Sequence, residues 1–264
     1  MYNNLLNTYS DMVYSVGIFV FILGAAIGSF INVLVDRVIK GETILGRSHC
    51  DHCKKDLEWY ELFPVLSYIF LRGTCRRCHV KLSIEHPAVE LLTGLLFVGT
   101  WIMVPAGSLI LYWGIVSAAW VIVLSDIRYK LIADSTQIAL FIVVLFQKIV
   151  EGASVFSLLS DVFAGLVVAL PIGLIYVVTN ERAMGLGDVI LAAIIGFFLG
   201  IGKGLLGLYV AFLVGALVGA VLLIQRKKGM KSAVPFGPFL IAGMLVAGVW
   251  GDTLIQIIKK MYGY

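Results

Sequence analysis

Two acidic residues stand where acids are costly. Met184-Gly185-Leu186-Gly187 delivers Asp188 onto the start of an almost wholly apolar run, Val189 to Gly200. An ionisable side chain beside such a run is expensive to desolvate, so it is expected to carry a function. Gly185 and Gly187 leave no side chains and permit backbone angles closed to other residues, which would let a substrate backbone approach the carboxylate. The second acid, Asp126, lies at the edge of another apolar run, in Leu124-Ser125-Asp126-Ile127-Arg128-Tyr129-Lys130. Two carboxyl groups brought together do not both ionise easily, so one keeps a proton while the other draws a proton from water. The water then attacks a peptide carbonyl, and the protonated partner stabilises the oxyanion. On residue content alone, the same pair would serve equally well as a proton relay or ion site in a transporter. Either acid could also be a capped, solvated helix terminus. No His lies in an apolar run, and neither GxSxG nor HExxH occurs.

A second constellation is sulfur. Cys50-Asp51-His52-Cys53 and Cys75-Arg76-Arg77-Cys78 are CxxC knuckles separated by 21 residues. Four thiolates in this pattern suit a tetrahedral, structural zinc site with no open position for water. A pair of disulfides is the alternative, and a reducing cytosol argues against it. His49, His52, His79 and His86 lie nearby and read as solvated surface residues.

These groups must be positioned by membrane helices. The chain is 60% hydrophobic and 14% charged, with a mean hydropathy of +0.99. That composition excludes an ordinary soluble domain. Each apolar run can be judged against the roughly 17–25 residues a span requires. Eight candidates result, at about 13–35, 87–104, 108–124, 135–146, 158–178, 188–200, 205–224 and 235–257. The first eleven residues carry no Lys or Arg, unlike a cleaved secretory signal, so the first apolar run is expected to remain as a helix. Asp134, before the fourth run, reads as a helix cap, Glu90 as a buried charge without an assigned partner, and Asp161 and Asp252 as interfacial.

Basic residues orient the spans. Segment 36–86 holds nine of the twenty Lys and Arg residues and all the Cys and His. Arg128, Lys130, Arg182, Arg226, Lys227, Lys228 and Lys231 fall in the other odd-numbered connections, which places these in the cytoplasm and both termini outside. Asp126 and Asp188 then share the cytoplasmic side. The net charge of +4 follows from this topology, and no nucleic-acid partner is called for. The expected fold is an all-α membrane protein of about eight transmembrane helices with a small zinc-ribbon-like cytoplasmic loop. It divides into a first helix (1–35), the zinc-binding loop (36–86) and a transmembrane core carrying the acids (87–264).

Further motifs appear in order along nearly the whole chain. Gly28-Ser29-Phe30-Ile31-Asn32-Val33 closes the first helix and is followed by Arg37. The knuckles enclose Trp59-Tyr60-Glu61-Leu62-Phe63-Pro64-Val65-Leu66-Ser67-Tyr68, then Leu71-Arg72-Gly73. His86-Pro87-Ala88-Val89-Glu90-Leu91, Asp126 with Asp134 eight residues on, Gly185-Leu186-Gly187-Asp188 and Pro235-Phe236-Gly237-Pro238-Phe239 complete the set. In these motifs the sequence resembles the type IV prepilin leader peptidases of bacterial pilus, secretion and competence systems. The resemblance implies an aspartic endopeptidase of the bacterial cytoplasmic membrane, with Asp126 and Asp188 as its catalytic pair. It would cut the basic leader from prepilin or pseudopilin precursors at the cytoplasmic face, after a glycine. Many members then N-methylate the new N-terminus with S-adenosylmethionine, an activity tied to the cytoplasmic loop. Asp36, Glu42, Asp51, Asp56, Glu58 and Glu61 would offer the basic leader negative charge. Ala133 departs from the pattern, which usually has Pro before Asp134.

Overall fold

A computed structural model describes residues 2–43, 46–50, 52–182, 184–225 and 234–261, with the side chains of 2–12 outside that description. Asp51, Arg226, Lys227, Lys228 and Lys231, read above as charge donors or topology markers, lie outside the described residues. The described chain is helical: α1 (Tyr2–Lys40), α2 (Leu66–Phe70), α3 (Glu85–Met103), α4 (Leu109–Tyr129), α5 (Asp134–Val150), α6 (Val155–Thr179), α7 (Leu186–Ile224) and α8 (Gly237–Met261). Six of these, α1, α3, α4, α6, α7 and α8, are long and apolar enough to cross a bilayer. The helix α5 has 17 residues. The chain forms two compact units, residues 1–121 and 122–264, with the boundary inside α4.

In the first unit α1 and α3 pack through small residues. A Cβ on Gly28 would fall 2.9 Å from the Glu90 Cα, so the backbones meet where neither side chain could fit. Asn32 donates to the His86 carbonyl at 3.3 Å, which sets the register of the pair. Pro87 sits in the first turn of α3, where its missing N–H is not needed, and α3 ends before Pro105. The helix α1 runs to Lys40 rather than stopping near residue 35, because Arg37 is buried and has work there. Its guanidinium donates to the carbonyls of Gly46 and Arg47 and ties down the start of the loop.

Between the knuckles a 3₁₀ turn, Trp59–Leu62, leads into α2. The link is Val65, at φ 60° and ψ −47°. The Leu66 N–H donates to the Pro64 carbonyl, closing a γ-turn of the rare positive-φ kind. A β-branched residue there costs on the order of 1–3 kcal/mol. The compensation is specific, since the Val65 N–H donates to Glu90 Oε2 at 2.7 Å. Glu90, which had no evident partner in the sequence, therefore holds a loop. Glu61 accepts from the Glu58 N–H at 2.8 Å, and Glu58 pairs with Arg77 at 3.3 Å.

In the second unit α7 packs against α5, α6 and α8. Gly200 interrupts it at φ 78° and ψ 176°. A Cβ on Gly204 would approach the Gly196 Cα to 3.2 Å. In a straight helix residues eight apart are separated by about 12 Å, so α7 turns back on itself at Gly200 as two antiparallel arms. The sixth and seventh expected spans correspond to these arms, although the exact number of crossings is not fixed by length and apolarity alone. Lys148 pairs with Asp161 at 3.0 Å, and Lys203, which lies inside α7 rather than in a connection, pairs with Asp252 at 2.7 Å.

Candidate aspartate pair and cysteine cluster

Asp126 sits three residues from the end of α4 and is 6% exposed. Its Oδ2 accepts the Gly237 N–H at 2.8 Å, across 111 residues of sequence. That N–H belongs to the first residue of α8, so the carboxylate faces a helix N-terminus, where unpaired N–H groups and the helix dipole favour an anion. Asp188 is half-buried in the first turn of α7 and accepts the Gly185 N–H at 3.2 Å. Each acid therefore stands at a helix start, which offsets part of what burial costs a charged group.

The surrounding contacts bring the two starts together. Ile132 would touch a Cβ on Gly187 at 3.3 Å through its own Cβ, and one on Gly237 at 3.3 Å through its Cδ1. One side chain thus bridges the residue before Asp188 and the residue bound to Asp126. Gln137 adds a clamp: it is buried, and its Nε2 donates to the Gly187 carbonyl at 2.6 Å. Among the described residues Gln137 Oε1 has no hydrogen-bond partner.

The glycines before Asp188 serve through their lack of side chains and not through unusual backbone angles. Gly185 lies at φ −84° and ψ 159°, Gly187 is helical, and neither has a positive φ. What they provide is room. No atom lies within 3.8 Å of a Cβ on Gly185, and the Gly187 position is where Ile132 packs. Gly237 is the glycine that chemistry forbids changing, since a Cβ there would lie 2.8 Å from Asp126 Oδ2. Gly237→Ala is expected to push the carboxylate off its N–H and lower turnover at least about tenfold, the equivalent of one charged hydrogen bond. Initial rates on the purified variant, with its thermal midpoint measured in parallel, check this.

All four cysteines converge. Their sulfurs lie within 4.8 Å of one another, with 3.8 Å between Cys50 and Cys78. A tetrahedron of Zn–S bonds near 2.3 Å requires sulfurs about 3.8 Å apart, so the group fits zinc. The knuckles are built alike. Lys54 donates its N–H to the Cys50 carbonyl and His79 to that of Cys75, each with a positive φ one residue past the second cysteine. Backbone N–H groups of Cys78 and then Arg77 aimed at Cys75 lower its thiol from 9.0 to about 7, favouring the thiolate a metal needs. The four cysteines are free thiols, and none of the nearby histidines joins their cluster among the described residues.

The family model described as Type IV leader peptidase family matches residues 113–224, and that of the Bacterial Peptidase A24 N-terminal domain matches 22–104. A prepilin leader peptidase/N-methyltransferase of Bacillus subtilis (strain 168) is 32% identical over 248 residues, covering 91% of this chain and 97% of that protein. The chain belongs to the type IV leader peptidase family. The protein of the same name from Legionella pneumophila is 31% identical, covering 97% of this chain and 98% of its own. One from Myxococcus xanthus (strain DK1622) is 35% identical, covering 78% and 63%. No solved structure matches the chain.

As a type IV leader peptidase family member, the chain departs from the usual pattern at Ala133 without disturbing its geometry. Ala133 lies at φ −69°, the angle to which Pro is locked, and Asp134 occupies the first turn of α5 with no side-chain cap bond. A groove of about 400 Å³ lies in the knuckle region, lined by Tyr60, Glu61, Phe63, Leu66, Ser67, Phe70 and Leu71. No methyl-donor residues are assigned.

Proposed function

We propose that this multi-pass membrane protein removes the basic leader from type IV prepilin-like precursors at the cytoplasmic face, cutting after a glycine. Asp126 and Asp188 are the catalytic pair in this reading. One carboxylate takes a proton from water while the other, protonated, supports the oxyanion of the attacked peptide carbonyl. The observation that carries the reading is that the start of α8 holding Asp126 and the start of α7 bearing Asp188 are bridged by Ile132 within one compact unit, with Gln137 fixing Gly187. Gly185 leaves the Asp188 side open for a substrate backbone. The prepilin-directed activity printed in the relatives' names supports the substrate class.

Methylation of the new N-terminus, with S-adenosylmethionine as donor, follows in the same reading from the N-methyltransferase part of those names. Segment 36–86 is proposed as the region that serves it, held by a structural zinc on Cys50, Cys53, Cys75 and Cys78. The proposed setting is a bacterial cytoplasmic membrane with both termini outside, as basic residues in the odd connections imply. The transporter alternative finds no support among the relatives.

The test is incubation of the detergent-purified chain with a prepilin-like peptide, followed by mass spectrometry. The expected products are a leader cut after glycine and, with S-adenosylmethionine present, a mature fragment heavier by one methyl group. An intact peptide together with proton-coupled flux in liposomes would overturn the reading.

A further inference from the structure

Segment 59–71 carries side chains that a water-exposed loop would not be expected to present. Trp59 is 72% exposed and Phe70 81%, and Phe63, Leu66 and Ile69 are exposed with them. Trp59 packs edge-on against both Tyr60 and Phe63, so the aromatics form one patch. Arginines border the patch, with Arg76 over the Tyr60 ring and Arg77 paired with Glu58, and the one acid within it, Glu61, accepts the Glu58 N–H.

The depth of this patch relative to a membrane span is set by one bond. Glu90, five residues into α3, accepts the Val65 N–H at 2.7 Å. The 19 residues of α3 rise about 28 Å, close to the roughly 30 Å of a hydrocarbon core. Its first turn is therefore at the boundary of the bilayer. Val65, bonded to a residue one turn further in, cannot be far above that boundary. Non-helical backbone at this level must have its polar groups satisfied by protein. The Glu90 carboxylate does that for the N–H of Val65.

We propose that residues 59–71 are an interfacial element that lies in the headgroup and acyl boundary, with the bilayer itself as its partner. Aromatic and branched side chains enter the lipid, while the adjacent arginines meet the headgroups. The acid inside α3 is then the anchor that sets how far the element dips. The cysteine module, joined to the element through Arg76 and Tyr60, is held against the membrane surface rather than projecting from it.

The experiment uses full-length protein in phosphatidylcholine and phosphatidylglycerol vesicles. The Trp59 contribution is the difference in tryptophan emission between the wild type and Trp59→Phe. Lipids brominated near the glycerol end of the chain are expected to remove most of that contribution, lipids brominated near the methyl end little of it, and aqueous iodide little of it. Strong iodide quenching with no effect of brominated lipid would overturn the proposal. So would insensitivity to both, which would mean that protein, such as a second copy of the chain, covers the patch. Phe70→Trp in the Trp59→Phe background repeats the measurement from α2 and must give the same ordering. Neither residue belongs to the aspartate pair or the cysteine cluster.

Discussion

Replacing either Asp126 or Asp188 by Asn is expected to lower peptide cleavage at least about a hundredfold, the lower end of what a positioned acid or base contributes. The protein should still accumulate in the membrane. Asn is nearly isosteric, and its oxygen can still accept the Gly237 or Gly185 N–H, so the helix starts remain capped while the group can no longer exchange a proton. The double variant is expected to be no worse than the more damaged single, because groups that act as one unit do not lose activity additively. Rates on a leader peptide, with membrane yield followed by immunoblot, provide the measurement. Normal processing by either single variant would remove the pair from the mechanism.

The second large effect concerns metal. The purified protein is expected to hold one zinc per chain, and Cys50→Ser to lose it, because three thiolates do not close a tetrahedron. Metal analysis after dialysis gives the direct readout. Binding to such a site is folding free energy for the segment around it, on the order of 10 kcal/mol in isolated zinc modules. Segment 36–86 should accordingly become a target of limited proteolysis, with methylation affected at least as much as cleavage. Full zinc content in the variant would rule out this ligand set.

Much of the site was legible because its signals are local. A GxGD start before an apolar run and a CxxC pair each declare their chemistry within a few residues, and apolar lengths locate the helices. What stayed hidden is long-range. Nothing near Pro235-Phe236-Gly237 says that the Gly237 N–H will hold an acid 111 residues earlier. Gln137 looks like an ordinary polar residue at the start of a helix, and only its burial against Gly187 reveals a clamp. Glu90 could be recognised as costly, but its partner is a backbone group in a strained turn that propensity would not suggest. Of the two properties read for Gly185 and Gly187, the folded chain uses the missing side chains and not the unusual backbone angles.

The doubled-back α7 has unequal arms. From Leu186 to Leu199 the first rises about 21 Å, and from Ile201 to Ile224 the second rises about 36 Å. The longer arm clears a hydrocarbon layer of about 30 Å, whereas the shorter cannot. Asp188 therefore opens at the bottom of a notch, some 15 Å short of where its sister arm ends. Around such a notch the leaflet must dimple or water must descend. In the proposed reading, water would reach Asp188 from this recess, and a substrate helix would be cut beside it without being lifted clear of its lipids.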